Sequence, residues 1–188
     1  RDGPFQFTNR ETMLYAGQDS VVAGRFSIGY VMPLDINFSD ETGRVVFYAV
    51  NNERNVEANG YNENFTVGGI NPSVDSDTEG PQIFAYLNNE DFENGGTVNA
   101  TPYFVALLQD ESGINYSGAG LGHDLLLTID NDVNKTYILN DYYSGEFGDY
   151  TKGAVAYSIP ELEEGKHRLK FRAWDVRNNT NSTTLDFV

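Results

Sequence analysis

Apolar residues in this chain recur at every second position, and this period restricts its fold more than any other feature. Short β-branched and aromatic runs, bounded by Gly, Asn and Asp, cover Val21–Met32, Arg44–Asn51 and Asn64–Gly69. No window carries a 3.6-residue apolar stripe longer than two helical turns. Alternating runs of this kind are typical of strands that bury one face. The sequence therefore predicts an all-β protein.

Turn-forming residues between positions 68 and 81 divide the chain. Gly, Pro, Ser, Asp and Glu dominate this segment, so few side chains there can anchor a core. We expect a partial β-sandwich module over 1–70, a linker over 71–80 and an immunoglobulin-like, seven-stranded β-sandwich over 81–188. The seven strand candidates are Gln82–Asn88, Pro102–Asp110, Asp124–Asp130, Lys135–Leu139, Ala154–Ile159, His167–Val176 and Thr183–Val188.

The first module has fewer strand candidates than a complete sandwich needs. About five can be found, and the first, Pro4–Thr8, begins almost at the first residue. The fold class is therefore two immunoglobulin-like sandwiches in tandem, with the first one truncated. We expect the open edge to be covered by a fixed, partly apolar contact with the second module or by a strand-mediated dimer, with Val21–Met32 near the gap.

Charge and composition exclude several classes of function. The formal net charge is −16 over 188 residues, so we expect no nucleic-acid partner and no binding to anionic membranes. No run of about 18 apolar residues occurs, so direct membrane insertion is not expected. The chain contains no cysteine, which removes disulfides, thiolate nucleophiles and cysteine-ligated zinc.

The chain offers few histidines for catalysis or metal binding. The two histidines are His123 and His167, which is too few for a histidine-rich metal site and leaves little room for Ser-His-Asp catalysis. We expect His167 to be a packed or solvated residue at a strand end. Asp130–Asn134 resembles the start of a calcium loop, but Lys135 stands where that loop requires Gly, so a solvated hairpin turn is favoured.

Polar residues that follow the second and sixth strands of the second module form the strongest candidate site. These two strands run in the same direction in facing sheets, so the loops after them meet at one end. One interpretation is that the carboxylates fasten these loops by accepting hydrogen bonds from backbone N–H groups. The other is a calcium site with Asp110, Asp124 and Asp175 as ligands. The residues expected at this end are Asp110, Glu111, His123, Asp124, Asp175 and Asn178.

The fastening interpretation is favoured, because backbone donors are abundant near loop carboxylates. We therefore expect no cofactor, with calcium as the open alternative. A separate aromatic group, Tyr142, Tyr143, Phe147 and Tyr150, could form a platform for a sugar. An aromatic segment between strands more often covers an open sheet edge, and we favour that interpretation.

Several short motifs occur in order and carry a resemblance to a known family. The chain resembles the C-terminal part of the gingipain-like cell-surface sortases of type IX secretion in Bacteroidetes, the PorU family. The match spans nearly all of 77–188, and residues at 35–37, 43–45 and 58–69 resemble the module just before it. The motifs are DTEGP at 77–81, DESGIN at 110–115, GLGHD at 120–124, LNDYY at 139–143, DYTKG at 149–153, EGKH at 164–167 and AWD at 173–175.

The resemblance implies a large protein on the outer face of the outer membrane. Its caspase-like cysteine peptidase domain removes the C-terminal signal of secreted cargo and joins the cargo to anionic lipopolysaccharide. The family's catalytic Cys and His belong to that domain, so no catalytic residue is carried over to this chain and the fragment is not expected to be an enzyme.

The implied role is a scaffold or docking surface in that larger protein. The implied partners are the chain's own upstream peptidase domain, an outer-membrane partner of the PorV type and the secreted cargo. The alternative is an adhesin-like or carbohydrate-binding module at the cell surface.

Overall fold

The computed structural model describes residues 13–36, 42–69, 76–118 and 120–188. Within these ranges the chain forms ten strands, two single-turn 3-10 helices (Val133–Lys135 and Asn140–Tyr142) and no α-helix. The prediction of an all-β protein is therefore confirmed. The strands are β1 (Val45–Val50), β2 (Glu57–Asn62), β3 (Gln82–Leu87), β4 (Tyr103–Gln109), β5 (Leu126–Ile129), β6 (Thr136–Ile138), β7 (Tyr143–Glu146), β8 (Asp149–Ser158), β9 (His167–Trp174) and β10 (Thr180–Phe187).

Strands β3 to β10 form two antiparallel four-stranded sheets that pack face to face. The strand order is β3-β4-β8-β7 in one sheet and β10-β9-β5-β6 in the other. Immunoglobulin-like sandwiches divide their strands between two sheets in this way. The predicted immunoglobulin-like fold is therefore confirmed for this part of the chain.

The core lies between the two sheets and follows from the alternation in the sequence. Along β9, Leu169, Phe171 and Ala173 are fully buried, and the residues between them face outward. Phe104 of β4 meets Phe171 across the sandwich, with ring centroids 5.2 Å apart. Burying one such large apolar side chain contributes about 1.5–3 kcal/mol to folding, so these facing rows hold the sheets together.

The sandwich has eight strands where seven were predicted. The additional strand, β7, has the sequence YSGE, which shows no alternating apolar pattern. It pairs with β8 in a register that shifts between Gly145 and Glu146, and β8 begins before its predicted start at Ala154. An edge strand is held mainly by backbone hydrogen bonds, so its amino-acid sequence need not show the alternation that predicts a strand.

The described residues before the predicted linker contain one two-stranded sheet. Strand β1 confirms the prediction at Arg44–Asn51, and it pairs antiparallel with β2. Strand β2 was not predicted, because its sequence EANGYN is rich in residues that strands disfavour. Asn64–Gly69 contributes only an isolated bridge to Thr42, and Pro4–Thr8 lies outside the described residues.

The prediction of a long strand over Val21–Met32 is wrong. This segment forms only an isolated bridge between Val22 and Arg25, on either side of a turn in which Ala23 and Gly24 have positive φ. The turn reverses the run after its first apolar residues. An alternating pattern does not supply the partner strand that a ladder requires, and no described segment pairs with the rest of this run.

The segment 13–36 is nevertheless held on the sandwich by backbone groups. The Tyr116 hydroxyl donates to the carbonyl of Ala16 at 2.8 Å, and the N–H of Gly148 donates to the carbonyl of Gln18 at 2.8 Å. Farther along, the N–H of Leu34 donates to the carbonyl of Val176 at 2.9 Å. This last bond brings the end of the segment to the loop after β9.

Candidate functional site at one pole of the sandwich

The loops after β4 and β9 join at one end of the sandwich. The N–H of Asn115 donates to the carbonyl of Trp174 at 2.9 Å, and the N–H of Val176 donates to the carbonyl of Gly113 at 3.0 Å. Ile114 and Asp175 form an isolated antiparallel bridge between these bonds. The structure thus brings together the two loops that the fold argument placed at one pole.

Three carboxylates meet at this pole: Asp77, Asp110 and Asp175. Each offers one oxygen, and the three oxygens lie within 4.8 Å of one another. The sequence placed Asp110 and Asp175 here but missed Asp77, which belongs to the predicted linker. Asp77 is held by the Ser112 hydroxyl, which donates to its Oδ2, and by the Asn179 amide, which donates to its carbonyl at 3.2 Å. The DTEGP motif that begins at Asp77 was the signal available in the sequence.

Asp175 fastens the turn between β9 and β10. Its side chain has no exposed surface. Its Oδ1 accepts from the N–H groups of Arg177 at 2.9 Å and Asn179 at 2.7 Å, and its Oδ2 accepts from the Asn179 side-chain amide at 2.7 Å. A buried carboxylate with three donors is well satisfied without a metal ion.

Asp110 is the least satisfied member of the group. It is 8% exposed, and its Oδ1 accepts from the N–H of Ser112 at 2.8 Å. Burial raises its pKa to about 6, with further increases from the charges of Asp175 and Asp77 and an opposing effect of the Ser112 and Gly113 N–H groups. Asp110 therefore becomes protonated at a higher pH than an ordinary aspartate does.

The pKa values of the other two carboxyl groups, Asp175 and Asp77, shift in opposite directions. Burial also raises the pKa of Asp175, although its hydrogen bonds from Asn179 and Arg177 oppose that increase. The hydrogen bond from Ser112 lowers the pKa of Asp77 below its ordinary value. One pole of the sandwich therefore holds an ionised Asp77 beside two buried carboxyls that resist ionisation.

His123 and Asn178 belong to a second group, built around Asp35. Asp35 Oδ2 lies 2.9 Å from His123 Nδ1, and Asp35 Oδ1 accepts from the Asn178 amide at 3.0 Å. The His123 ring packs on Trp174 with centroids 4.1 Å apart. Gly120 is required here, because its φ is +91° and a Cβ would overlap both Asp35 and His123. No pattern in the sequence predicted Asp35 at this pole.

The predicted cluster of six residues is therefore divided in the structure. Asp124 accepts from the Asn140 side-chain amide at 3.0 Å, and Asn140 Oδ1 in turn accepts from the N–H of Leu125 at 2.9 Å. Glu111 is exposed to solvent. Asp124 is thus absent from the carboxylate group that contains Asp110 and Asp175.

The four aromatic residues singled out in the sequence do not share one surface. Tyr143 packs against the core and stacks on Tyr116 with centroids 4.6 Å apart, and burial raises its pKa. Tyr142 is half exposed and meets Tyr157 edge to face at 4.9 Å. Phe147 is exposed, and Tyr150 is partly buried.

His167 lies at the opposite pole from the carboxylate group, at the start of β9. Its Nδ1 is 2.8 Å from Asp130 Oδ2, and its Nε2 is 2.8 Å from the carbonyl of Glu163. These two contacts raise its pKa, the one with Glu163 most strongly.

The segment Asp130–Asn134, which resembles the start of a calcium loop, carries the hydrogen bond of a turn. The side chain of Asp132 accepts from the N–H of Asn134 at 2.8 Å, as the side chain of a turn residue does.

Comparison with known proteins finds a similarity to a solved structure. No family model matches the sequence, and no curated protein matches it. The crystal structure of dimeric latent PorU from Porphyromonas gingivalis is similar to this chain, with 36% identity and a TM-score of 0.59. The similarity covers 84% of this chain and 15% of that chain.

The described residues contain no helix that is long and apolar enough to cross a membrane. The chain spans 15% of the length of the PorU chain that it matches. The resemblance inferred from the ordered motifs is thus supported by a solved structure. The chain is similar to one region of a PorU protein.

Proposed function

We propose that this chain is the non-catalytic β-sandwich part of a PorU-like sortase of type IX secretion. The observation that carries the proposal is the 36% identity over 84% of the chain to PorU, together with the ordered motifs of 77–188. In that role the chain works at the cell surface, on the outer face of the outer membrane. Its partners are the peptidase domain of the same polypeptide, an outer-membrane partner of the PorV type and the secreted cargo.

The chemistry of the chain supports a non-catalytic role. It has no cysteine and therefore no thiolate nucleophile. His123 Nδ1 lies 2.9 Å from Asp35 Oδ2 and its ring packs on Trp174, while the ring nitrogens of His167 contact Asp130 and the carbonyl of Glu163. We expect the isolated chain to hydrolyse Arg-, Lys- and Ala-linked chromogenic peptides no faster than buffer. Turnover that survives repurification and disappears in His123→Ala would contradict this expectation.

A scaffold role is tested in cells that make the complete sortase. Deleting 81–188 from the parent protein should leave secreted cargo with uncleaved C-terminal signals and release less of it to the surface. Replacing the catalytic cysteine of the parent is the matched control, and it should give the same cargo phenotype. Normal cargo processing by the deletion variant, at wild-type protein levels, would reject the proposal.

Exposed aromatic side chains favour one alternative, a carbohydrate-binding surface module. Tyr142 and Phe147 are available to a ligand, whereas Tyr143 is packed against the core. A glycan array probed with the chain separates the two functions. Binding to a defined glycan that is lost in Tyr142→Ala would favour the alternative, and an array without binding would favour the scaffold.

A further inference from the structure

The contact between Asp35 and His123 joins two separate parts of the chain. Asp35 Oδ2 lies 2.9 Å from His123 Nδ1. Asp35 belongs to the segment 13–36, which contributes no strand to either sheet of the sandwich, whereas His123 lies in the loop between β4 and β5. A group bound between these two side chains would therefore connect the segment to the sandwich.

The contact lacks the alignment of a hydrogen bond. His123 Nδ1 is buried and has no hydrogen-bond partner within the described residues, although buried polar atoms are normally paired. If Nδ1 carries a proton, its N–H is not aimed at the carboxylate. If Nδ1 carries none, its lone pair lies against a carboxylate oxygen, which is also an acceptor. A cation between the two atoms would pair both of them.

The distance between the two atoms fits a pair of neighbouring ligands on one metal ion. Zinc binds imidazole nitrogen and carboxylate oxygen at about 2.0–2.2 Å, so two such ligands at 90–110° around one ion are about 3.0–3.4 Å apart. The observed 2.9 Å lies at the short end of this range. Gly120 carries no side chain to block the site, and the atoms nearest to a Cβ there would be Asp35 Oδ2 and His123 Nδ1.

Asn178 supports the carboxylate from the other side. Its amide donates to Asp35 Oδ1 at 3.0 Å, which holds the carboxylate while Oδ2 lies beside His123. Hydrogen bonds of this kind orient the carboxylates that bind metal ions. Asn178 Oδ1 is buried and has no hydrogen-bond partner in the part of the chain that the structure describes, so it can accept from a water molecule on the ion.

We propose that Asp35 and His123 bind a divalent first-row transition-metal ion such as zinc, and that Asn178 positions the Asp35 carboxylate. An imidazole nitrogen combined with a carboxylate oxygen suits ions of this class, whereas calcium and magnesium take oxygen ligands. Water completes the coordination. The ion links the segment 13–36 to the sandwich next to the bond that the Leu34 N–H donates to the Val176 carbonyl at 2.9 Å.

The sequence predicted no cofactor, because two histidines are too few for a histidine-rich site. This site needs only one histidine, since its second ligand comes from a distant segment of the chain. The formal net charge of −16 also favours the approach of cations. The inference does not depend on the function proposed above.

Calorimetric titration of the chain with zinc chloride tests the site, with His167→Ala as the matched control. His167 also has a ring nitrogen close to a carboxylate, that of Asp130, but both of its ring nitrogens have hydrogen-bond partners. We expect one zinc ion per chain and an affinity at least tenfold weaker in Asp35→Asn and in His123→Gln. The affinity should be unchanged in His167→Ala and in Asp110→Asn, which alters the separate group of three carboxylates.

Nitrogen-15 NMR of the wild-type chain, labelled at histidine, locates the ion without any substitution and therefore carries the test if a variant fails to fold. Zinc should shift the resonance of His123 Nδ1 more than that of either nitrogen of His167, and millimolar calcium or magnesium should shift neither histidine. The proposal is overturned if zinc does not bind saturably, if it binds Asp35→Asn as tightly as the wild type, or if the His123 Nδ1 resonance does not move. Equal loss of affinity in His167→Ala would also overturn it.

Discussion

Asp77, Asp110 and Asp175 bring three carboxyl groups together at one pole of the sandwich. Burial raises the pKa of Asp110 and of Asp175, and the hydrogen bond from the Ser112 hydroxyl lowers the pKa of Asp77. Such a group stabilises loops through the hydrogen bonds it accepts and destabilises them through the charges it confines. These two effects can be separated experimentally, because they respond differently to pH and to substitution.

Asp110→Asn should stabilise the sandwich at neutral pH. The folded-state pKa of Asp110 is about 6, above its ordinary value of 3.8. The stability that protonated Asp110 contributes to the fold is therefore fully present below about pH 4 and is lost as pH rises through about 6. Asn keeps the Oδ1 acceptor for the Ser112 N–H and removes the charge. The melting temperature of the variant should equal that of the wild type near pH 4 and exceed it by roughly 5 °C above pH 7.

The quantity to compare is the difference in melting temperature between the variant and the wild type at each pH, because titrating groups shared by the two proteins affect both melting temperatures alike. A variant that is less stable than the wild type at every pH would show that the charge of Asp110 is needed, and would contradict this account.

Asp175→Ala should destabilise the sandwich by about 1–3 kcal/mol, because the N–H groups of Arg177 and Asn179 would lose their acceptor in a buried position. Urea denaturation at neutral pH measures the free energy of unfolding. Glu111→Ala is the control, since an exposed carboxylate should change that free energy by less than about 0.5 kcal/mol.

Millimolar calcium should leave the melting temperature of the wild type nearly unchanged, because Asp175 is already satisfied by three donors. A rise of many degrees with calcium, abolished in Asp110→Ala, would show instead that these carboxylates form a cation site.

At the residue scale, the sequence predicted the parts of the site that a fold rule can place. Asp110 and Asp175 follow strands whose ends meet in any sandwich of this class. Asp77 and Asp35 are different, because they reach the pole from 35 and 143 positions away along the chain, to Ser112 and Asn178 respectively. Such contacts depend on how a distant segment lies on the sandwich, which side-chain periodicity does not record.

At the element scale, strands with an apolar core-facing row were predictable and strands defined by pairing were not. β4 and β9 show the alternation of a half-buried strand and lie close to their predicted bounds. β7 and β2 are short, poor in apolar residues and stabilised by neighbouring backbone. Val21–Met32 shows the converse, since alternation without a partner strand produced a turn.

Packing of Tyr143 against β8 makes Gly153 sensitive to substitution. A Cβ at Gly153 would overlap the Tyr143 ring, whereas a Cβ at Gly145 would make an ordinary 3.9 Å contact with the same ring. Gly153→Ala should therefore cost about 1–3 kcal/mol through displaced packing, measured by urea denaturation. Gly145→Ala is the control. Equal effects of the two substitutions would contradict the close packing of Tyr143 on Gly153.

At the scale of the whole molecule, composition narrows the expected functions and the ordered motifs suggest one. The net charge of −16 leads us to expect no nucleic-acid partner, and the lack of cysteine means that this chain supplies no thiol, but neither feature points to a partner. The apolar outer surface of the sheet β3-β4-β8-β7 could not be predicted from the sequence, because a strand such as β4 alternates between two apolar rows and only the sheet order shows which row faces solvent.

The native polypeptide that carries this sequence tests the central claim most directly. An antibody raised against the chain is used to isolate that polypeptide from surface-labelled cells, and a cysteine-peptidase activity probe is applied to it. The account predicts a surface-exposed polypeptide several times larger than 20.9 kDa that reacts with the probe through a cysteine outside this region. A polypeptide that contains no cysteine peptidase domain would contradict it.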